Sequence, residues 1–236
     1  MRFIEHIIEP TKLLLAWQSP SEERRTRYIV AELNSVDGEI SLEYLPTTDD
    51  FINAQKYGFK AYPAFQDINK IHHNVLDAFM RRLPPRTRGD FPQYLEGLRL
   101  RPTVHISEFA LLGYSGAKLL SDGFSIIHPF DHVTSACELL LEAAGYRHIK
   151  DDAKTAINLN DAVSFSKEEY NEATKAPAIR IEVNNTPIGY VNRGLIPTIL
   201  DWIEKKRITG AWVEKMNGTP GRPAVYLYVQ VAPENF

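Results

Sequence analysis

Cysteine is almost absent from this chain: Cys137 is the only one in 236 residues. No intrachain disulfide can form, and no cysteine-based zinc pattern exists, which agrees with a reducing compartment. Long apolar runs are missing too, since none approaches the roughly 20 residues of a membrane helix. Glu5 and Glu9 fall where a signal peptide would carry its apolar core, so a cytoplasmic protein is expected. Neither sign of charge dominates. The 27 basic and 30 acidic residues leave a net −3, so nothing draws the whole chain to a polyanion and any nucleic-acid site must be a local basic patch. There is no internal repeat and no low-complexity segment. What is present is the composition of a folded soluble chain, 44% hydrophobic and 24% charged, long enough for one large domain or two small ones.

Catalytic signatures are also lacking. Gly113-Tyr-Ser-Gly-Ala-Lys118 fails the phosphate-loop pattern because Ala117 precedes Lys118. It fails the nucleophile-elbow pattern because glycine follows Ser115 directly. Small residues closing a helix account for it better. His72 and His73 are neighbours on an expected helix and point apart, and the Pro129 context argues against His128 and His132 as a metal pair. Asp49-Asp50 and Asp151-Asp152 read as turn and cap residues. No paired carboxylates, nucleophile–base pair, metal site or cofactor fingerprint stands out, so a non-enzymatic protein with no cofactor is expected.

The first half reads as mixed α+β. Leu13–Trp17 is a buried strand, and Ile29, Ala31 and Leu33 alternate with polar neighbours, as do Ile40, Leu42 and Tyr44. The intervening Asn34–Gly38 makes these a hairpin. Ile68, Ile71, Val75 and Phe79 recur at helical spacing, so a helix is expected over 66–82, stopped by Pro84-Pro85. Asp90 can cap a second helix and Ser107 a third. Phe124–Ile127 reads as a strand, and His128–Asp131 marks a boundary between a domain over 1–130 and another over 131–236.

Beyond the boundary, Glu138–Glu142 is an expected strand leading to Gly145. Asp151 can cap a short helix through Ile157, and a strand over Ala162–Ser166 follows. Lys167–Pro177 is polar and reads as a loop. Ile179, Ile181 and Val183 then alternate with Arg180 and Glu182, and Asn184–Pro187 makes a turn. Leu195, Ile196, Ile199, Leu200 and Ile203 line a helix, and two strands separated by Asn217–Gly221 close the chain. Tyr226 and Tyr228, two apart on the last strand, share a face that serves either as a stacking platform or as packing surface. A separate basic cluster, Arg81, Arg82, Arg86, Arg88, Arg99 and Arg101, outnumbers Asp90 and Glu96. Arginine at that density suits phosphate or carboxylate contacts, or a solvated helix end.

Five pieces of the second half occur in a telling order: Gly145-Tyr-Arg-His148, the Asn160-Asp161 turn, Asn171-Glu172, Ala178-Ile179 and Gly189-Tyr-Val-Asn-Arg193. Over roughly 132–231 this order resembles the HIRAN domain, a modified OB-like β-barrel with an inserted helix, found in some helicase-related proteins and many short bacterial proteins. The first half resembles the leader region of those bacterial proteins through Arg82-Leu-Pro-Pro-Arg86, Asp90–Leu95 and Ser115–Lys118. The expected fold class is therefore α+β, a mixed α+β leader followed by a HIRAN-like barrel.

The resemblance implies binding of single-stranded DNA at a 3′-hydroxyl end. Arg147 matches the family's phosphate-holding arginine, His148 its stacking residue, and Tyr190 the residue after the glycine that completes the pocket. The family's Asn-x-Tyr-Asp loop becomes Asn171-Glu-Ala-Thr174, where Ala173 cannot stack and Thr174 offers a hydroxyl without charge. The expected DNA-binding set is Arg147, His148, Asn171, Thr174, Lys175, Tyr190, Asn192, Arg193 and Arg222. Glu168, Glu169 and Glu172 in the same loop oppose phosphate. They favour the alternative, an adaptor or regulator of toxin–antitoxin or phage-defence type whose barrel binds a protein partner from the same operon.

Overall fold

The computed structural model describes residues 1–20, 26–119, 122–149, 157–171, 176–219 and 222–234, without the side chains of Arg147 and Arg222. The chain forms two compact units. A C-terminal unit gathers Met1–Ile8, Leu95–Arg101 and Asp131–Phe236, and an N-terminal unit holds Glu9–Tyr94 and Pro102–Phe130. The units are not two contiguous spans: two short segments of the first half belong with the C-terminal unit.

In the N-terminal unit, strands β1 (Lys12–Gln18), β2 (Arg27–Val36), β3 (Glu39–Tyr44) and β4 (Phe124–Ile127) form an antiparallel sheet in the order β3-β2-β1-β4. The hairpin turn is only Asp37-Gly38, both at positive φ, because Val36 and Glu39 already pair. Helix α1 (Asp49–Lys56) is capped by the Thr48 side chain and buries Phe51 and Ala54. Phe51, Phe59, Tyr44 and Trp17 pack around it in edge-to-face and tilted pairs, with ring centroids 5.4–6.4 Å apart.

The helix expected over 66–82 does not form. Only α2 (Leu76–Met80) is helical, and Ile71 is 46% exposed. The preceding chain instead covers the edge of β3. Leu42 and His72 exchange backbone hydrogen bonds of 2.8 and 2.9 Å, and Val75 donates to the Ile40 carbonyl. Unpaired strand edges need such cover, and this need overrides the helical spacing. His72 and His73 are accordingly not on a helix. Helix α3 (Phe91–Gly97) follows Asp90, and α4 (Glu108–Ser115) is capped by Ser107, whose Oγ accepts from Ala110 N at 2.9 Å. Gly116, left-handed at φ +72°, ends α4, the structural role expected of the Gly113–Lys118 stretch.

The C-terminal unit holds two three-stranded antiparallel sheets. One has β5 (Cys137–Glu142), β10 (Arg222–Val231) and β9 (Ile208–Thr219) in the order β5-β10-β9. The other runs β6-β7-β8, from β6 (Val163–Asn171), β7 (Ala176–Val183) and β8 (Thr186–Tyr190). Neither sheet closes into a barrel. Two isolated bridges join their edges, Ala144 with Tyr190 and Ala162 with Trp212. Ile179, Ile181 and Val183 of β7 face the core, as do Val213, Val225, Leu227 and Val229 of the other sheet. Helix α5 (Ile196–Glu204) buries Thr198, Ile199 and Trp202.

The loop expected over Lys167–Pro177 is largely strand. β6 continues to Asn171 and β7 begins at Ala176, with a bulge between Glu168 and Asn171. Backbone pairing with β7 outweighs the polarity of Lys167–Tyr170, whose side chains turn to solvent or stay half-exposed. The helix expected from Asp151 lies outside the described residues.

The two recruited segments are held by buried carboxylates. Glu138 accepts from the backbone N–H groups of Glu5 and His6 at 3.0 Å, and Tyr228 donates its hydroxyl to the Phe3 carbonyl at 2.8 Å. Glu214 accepts from Arg2 at 2.9 Å and from Arg99 at 2.7 Å. Among the described residues no helix is long and apolar enough to cross a membrane.

Candidate functional site

The C-terminal sheets converge where β5 ends. Ala144 and Tyr190 exchange backbone hydrogen bonds, each 2.9 Å. This close approach depends on Gly189, which sits at φ +149° and whose missing Cβ would lie 2.7 Å from the Ala144 carbonyl oxygen. Immediately after the bridge, Gly145 takes a left-handed φ of +82° and opens a 3-10 turn over Tyr146–His148, closed by His148 N to Gly145 O at 2.9 Å. Tyr146 is the turn's anchor, 4% exposed, and burial raises its pKa. His148 is exposed.

Arg147 and Tyr190, matched from sequence alone, thus belong to neighbouring backbone segments, although the Arg147 side chain lies outside the described residues. Asn192 follows on β8's exit, but its Oδ1 accepts from Gly194 N at 3.2 Å and caps the 3-10 turn Arg193–Leu195. Asn171 lies at the end of β6, 7% exposed, with its amide donating to Glu168 at 3.4 Å. Because Asn171 pairs with Ala176 and Arg180 with Tyr190, the end of β6, the start of β7 and the exit of β8 occupy one end of their sheet. Thr174 and Lys175 fall in the connection between β6 and β7, outside the described residues. The first residues of β10, from Arg222, run beside the chain leaving β5, where Ala143 N donates to Val225 O at 2.9 Å. The Arg222 side chain is not described.

Arg180 is a residue the motif comparison passed over. It sits directly across from Tyr190 on β7, half-exposed, and its guanidinium donates to the Tyr190 hydroxyl. That hydrogen bond first, then the Glu168 and Glu182 carboxylates, raise its pKa against the opposing effect of burial. Both carboxylates stand off, at 3.4 and 3.8 Å. The signal was in the alternation of Ile179–Val183, which places Arg180 on the outer face of its strand.

Other expected surfaces are occupied. Tyr228 is 6% exposed and bound to Phe3, and Lys215 lies 5.4 Å over the Tyr226 ring, so this pair is packing rather than an open platform. The arginine cluster does not act as one patch. Arg82 is buried, with a bidentate pair to Asp122 at 2.8 and 2.9 Å and bonds to the carbonyls of Ala117 and Phe124. Arg99 is buried on Glu214, Arg101 pairs with Glu5, Arg88 with Asp90, and Arg86 donates to the Ile106 carbonyl. Burial pushes the Cys137 thiol up to about 12. Among the described residues no three metal-ligating side chains come together.

No protein-family model matches this sequence, and no curated protein and no solved structure does either.

Proposed function

We propose that the C-terminal unit is a single-strand nucleic-acid binding module, with its site at the junction of the Gly145–His148 turn and the end of β8. The observation that carries this reading is the Ala144–Tyr190 bridge. It sets a turn bearing Arg147 and His148 beside a tyrosine that already holds a guanidinium. Single-strand recognition needs cations along phosphates and flat rings for bases, and this junction offers both within a few residues. The strand pairing is compatible with the HIRAN-like reading: the sheets β5-β10-β9 and β6-β7-β8 meet at two isolated bridges, although neither closes into a barrel. Arg147 and Arg180 would contact phosphate, His148 and Tyr190 would meet a base or sugar, and Lys175, Arg193 and Arg222 would add charge. Asn171 and Asn192 shape the site through their structural hydrogen bonds, and Thr174 offers a hydroxyl to a terminal 3′-OH. No reaction is assigned to this site.

One observation favours a second reading. Glu168 and Glu182 flank Arg180 and offset its charge, which suits a protein partner better than a polyanion. Fluorescence anisotropy with a labelled oligonucleotide ending in a 3′-hydroxyl or a 3′-phosphate separates the two. Binding by the wild type that is weakened in Arg147→Ala and Arg180→Ala supports the nucleic-acid module, and a preference for the free hydroxyl supports end recognition. No binding at low salt, with a protein recovered from the same operon, supports the adaptor.

A further inference from the structure

The N-terminal unit carries a cleft that the nucleic-acid reading does not use. It holds about 650 Å³ and opens to solvent between α2, the Leu83–Arg86 segment and the first turns of α3 and α4. That volume falls within the roughly 300–1,000 Å³ of small-ligand sites. The floor is apolar, since Leu83, Phe91 and Leu111 are at most 8% exposed. Pro84-Pro85 makes part of the wall, and the fixed φ of proline stiffens it. A stiff, pre-formed cleft loses little freedom on binding.

Four charged side chains line the same cleft: Asp77 and Arg81 from α2 and its C-terminal cap, Arg86 from the proline segment and Glu108 from α4. Among the described residues Asp77, Arg81 and Glu108 make no side-chain hydrogen bond and no ion pair. In this Arg81 differs from the other five arginines of its stretch, each of which is bonded. Arg86 uses one N–H on the Ile106 carbonyl at 2.8 Å and lies 5.7 Å over the Phe91 ring, which fixes it at the cleft with further donors left.

Asp77 and Arg81 are one helical turn apart, because Arg81 N donates to the Asp77 carbonyl at 3.3 Å, yet their side chains do not pair. At 1.5 Å per residue the turn separates them by about 6 Å along the axis. The two ends of a dipeptide span about the same distance, two residues at roughly 3.3–3.6 Å each. A simple anion would meet two arginines but also Asp77 and Glu108, and a simple cation would meet the reverse. A ligand with one charge of each sign and an apolar body suits both the rim and the floor.

We propose that this cleft binds short zwitterionic peptides with apolar side chains, of dipeptide size. Arg81 takes the carboxylate, in keeping with the fit of guanidinium to carboxylate, and Asp77 takes the ammonium. Leu83, Phe91 and Leu111 receive an apolar side chain, and Arg86 and Glu108 offer a donor and an acceptor to the peptide group.

The test is calorimetric titration of the intact chain with Leu-Leu, Leu-Phe and Phe-Leu, with the N-acetylated and C-amidated forms of the tightest, and with inorganic phosphate. The expected result is one-to-one binding with a Kd below about 1 mM. Capping either end should weaken it by about ten- to hundredfold. Arg81→Ala should lose as much on the free dipeptide and nothing further on its amide. Asp77→Asn should behave in the same way toward the N-acetylated form. Both positions are exposed, so urea midpoints should match the wild type. No saturable binding of any of the three dipeptides at about 10 mM would overturn the proposal, and so would capped forms that bind as tightly as the free one. Phosphate binding without dipeptide binding would overturn it in favour of an anion site. Unchanged affinity in both variants would place the ligand elsewhere and overturn it too. None of these outcomes bears on the Tyr190 junction.

Discussion

Replacing Gly189 by alanine should unfasten the two sheets of the C-terminal unit from each other. An added Cβ would stand 2.7 Å from the Ala144 carbonyl oxygen and 3.3 Å from the Ala143 Cβ, on a backbone at φ +149° that side chains disfavour. The conformational strain alone is about 1–3 kcal/mol. Relieving the clash pulls Ala144 away from Tyr190 and gives up two backbone hydrogen bonds, at about 1 kcal/mol each. The expected total is about 3–5 kcal/mol, or a fall of about 1.5–2.5 M in urea midpoint at an m-value near 2 kcal/mol per molar. Trp202 and Trp212 report this unit by fluorescence in a Trp17→Phe background. Gly145→Ala is the control: its φ is +82°, but nothing lies within 4 Å of the position a Cβ would take, so only the strain component remains. A cost below about 1 kcal/mol for Gly189→Ala, or one no larger than that of Gly145→Ala, would refute the argument that this glycine exists to permit the bridge.

Glu214→Gln should cost about 3–5 kcal/mol, because it leaves the buried Arg99 guanidinium without its counter-charge and loosens Arg2. Burial opposes ionisation of Glu214, but hydrogen bonds from Arg2 and Arg99 outweigh it and hold the pKa below the usual 4.5. A folded-state pKa that is lowered contributes stability above the unfolded value and loses it as pH falls through the folded one. Wild-type urea midpoints should therefore decline below about pH 4.5, with a shallower decline in Glu214→Gln; parallel acid limbs would contradict this. Cys137, fully buried with its thiol pushed up to about 12, should resist iodoacetamide at pH 8 in the native protein and react once the chain is unfolded in urea. Rapid native labelling would show that β5 opens.

Local chemistry made much of this fold legible. Ser107 marked a helix start because capping is decided by a few adjacent residues, whereas Asp90 precedes α3 with its carboxylate bonded to Arg88. Ile179, Ile181 and Val183 marked β7 because a strand with one buried face must alternate. The failures share a cause in distant partners. Ile68, Ile71, Val75 and Phe79 match a helix by spacing, yet the chain before Val75 is claimed by the open edge of β3. Lys167–Asn171 is polar enough for a loop, yet Lys167, Glu168 and Asn171 pair with β7. Helix α1 went unread because Phe51 and Ala54 are its only buried side chains in a polar stretch. At the site, motif order placed Arg147 and Tyr190 on neighbouring segments, but not Arg180, which joins Tyr190 only through strand register. The arginine-rich stretch misled because composition cannot show that Arg82 and Arg99 point inward to Asp122 and Glu214.

The most direct measurement is the salt dependence of oligothymidylate binding to the intact chain between 50 and 200 mM salt. A site that grips three or four phosphates predicts a slope of log K against log salt of about −2 to −3, reduced by about 0.7 in Arg180→Ala. A slope near zero, or the same slope in Arg180→Ala as in the wild type, would contradict the placement of the strand at the Tyr190 junction.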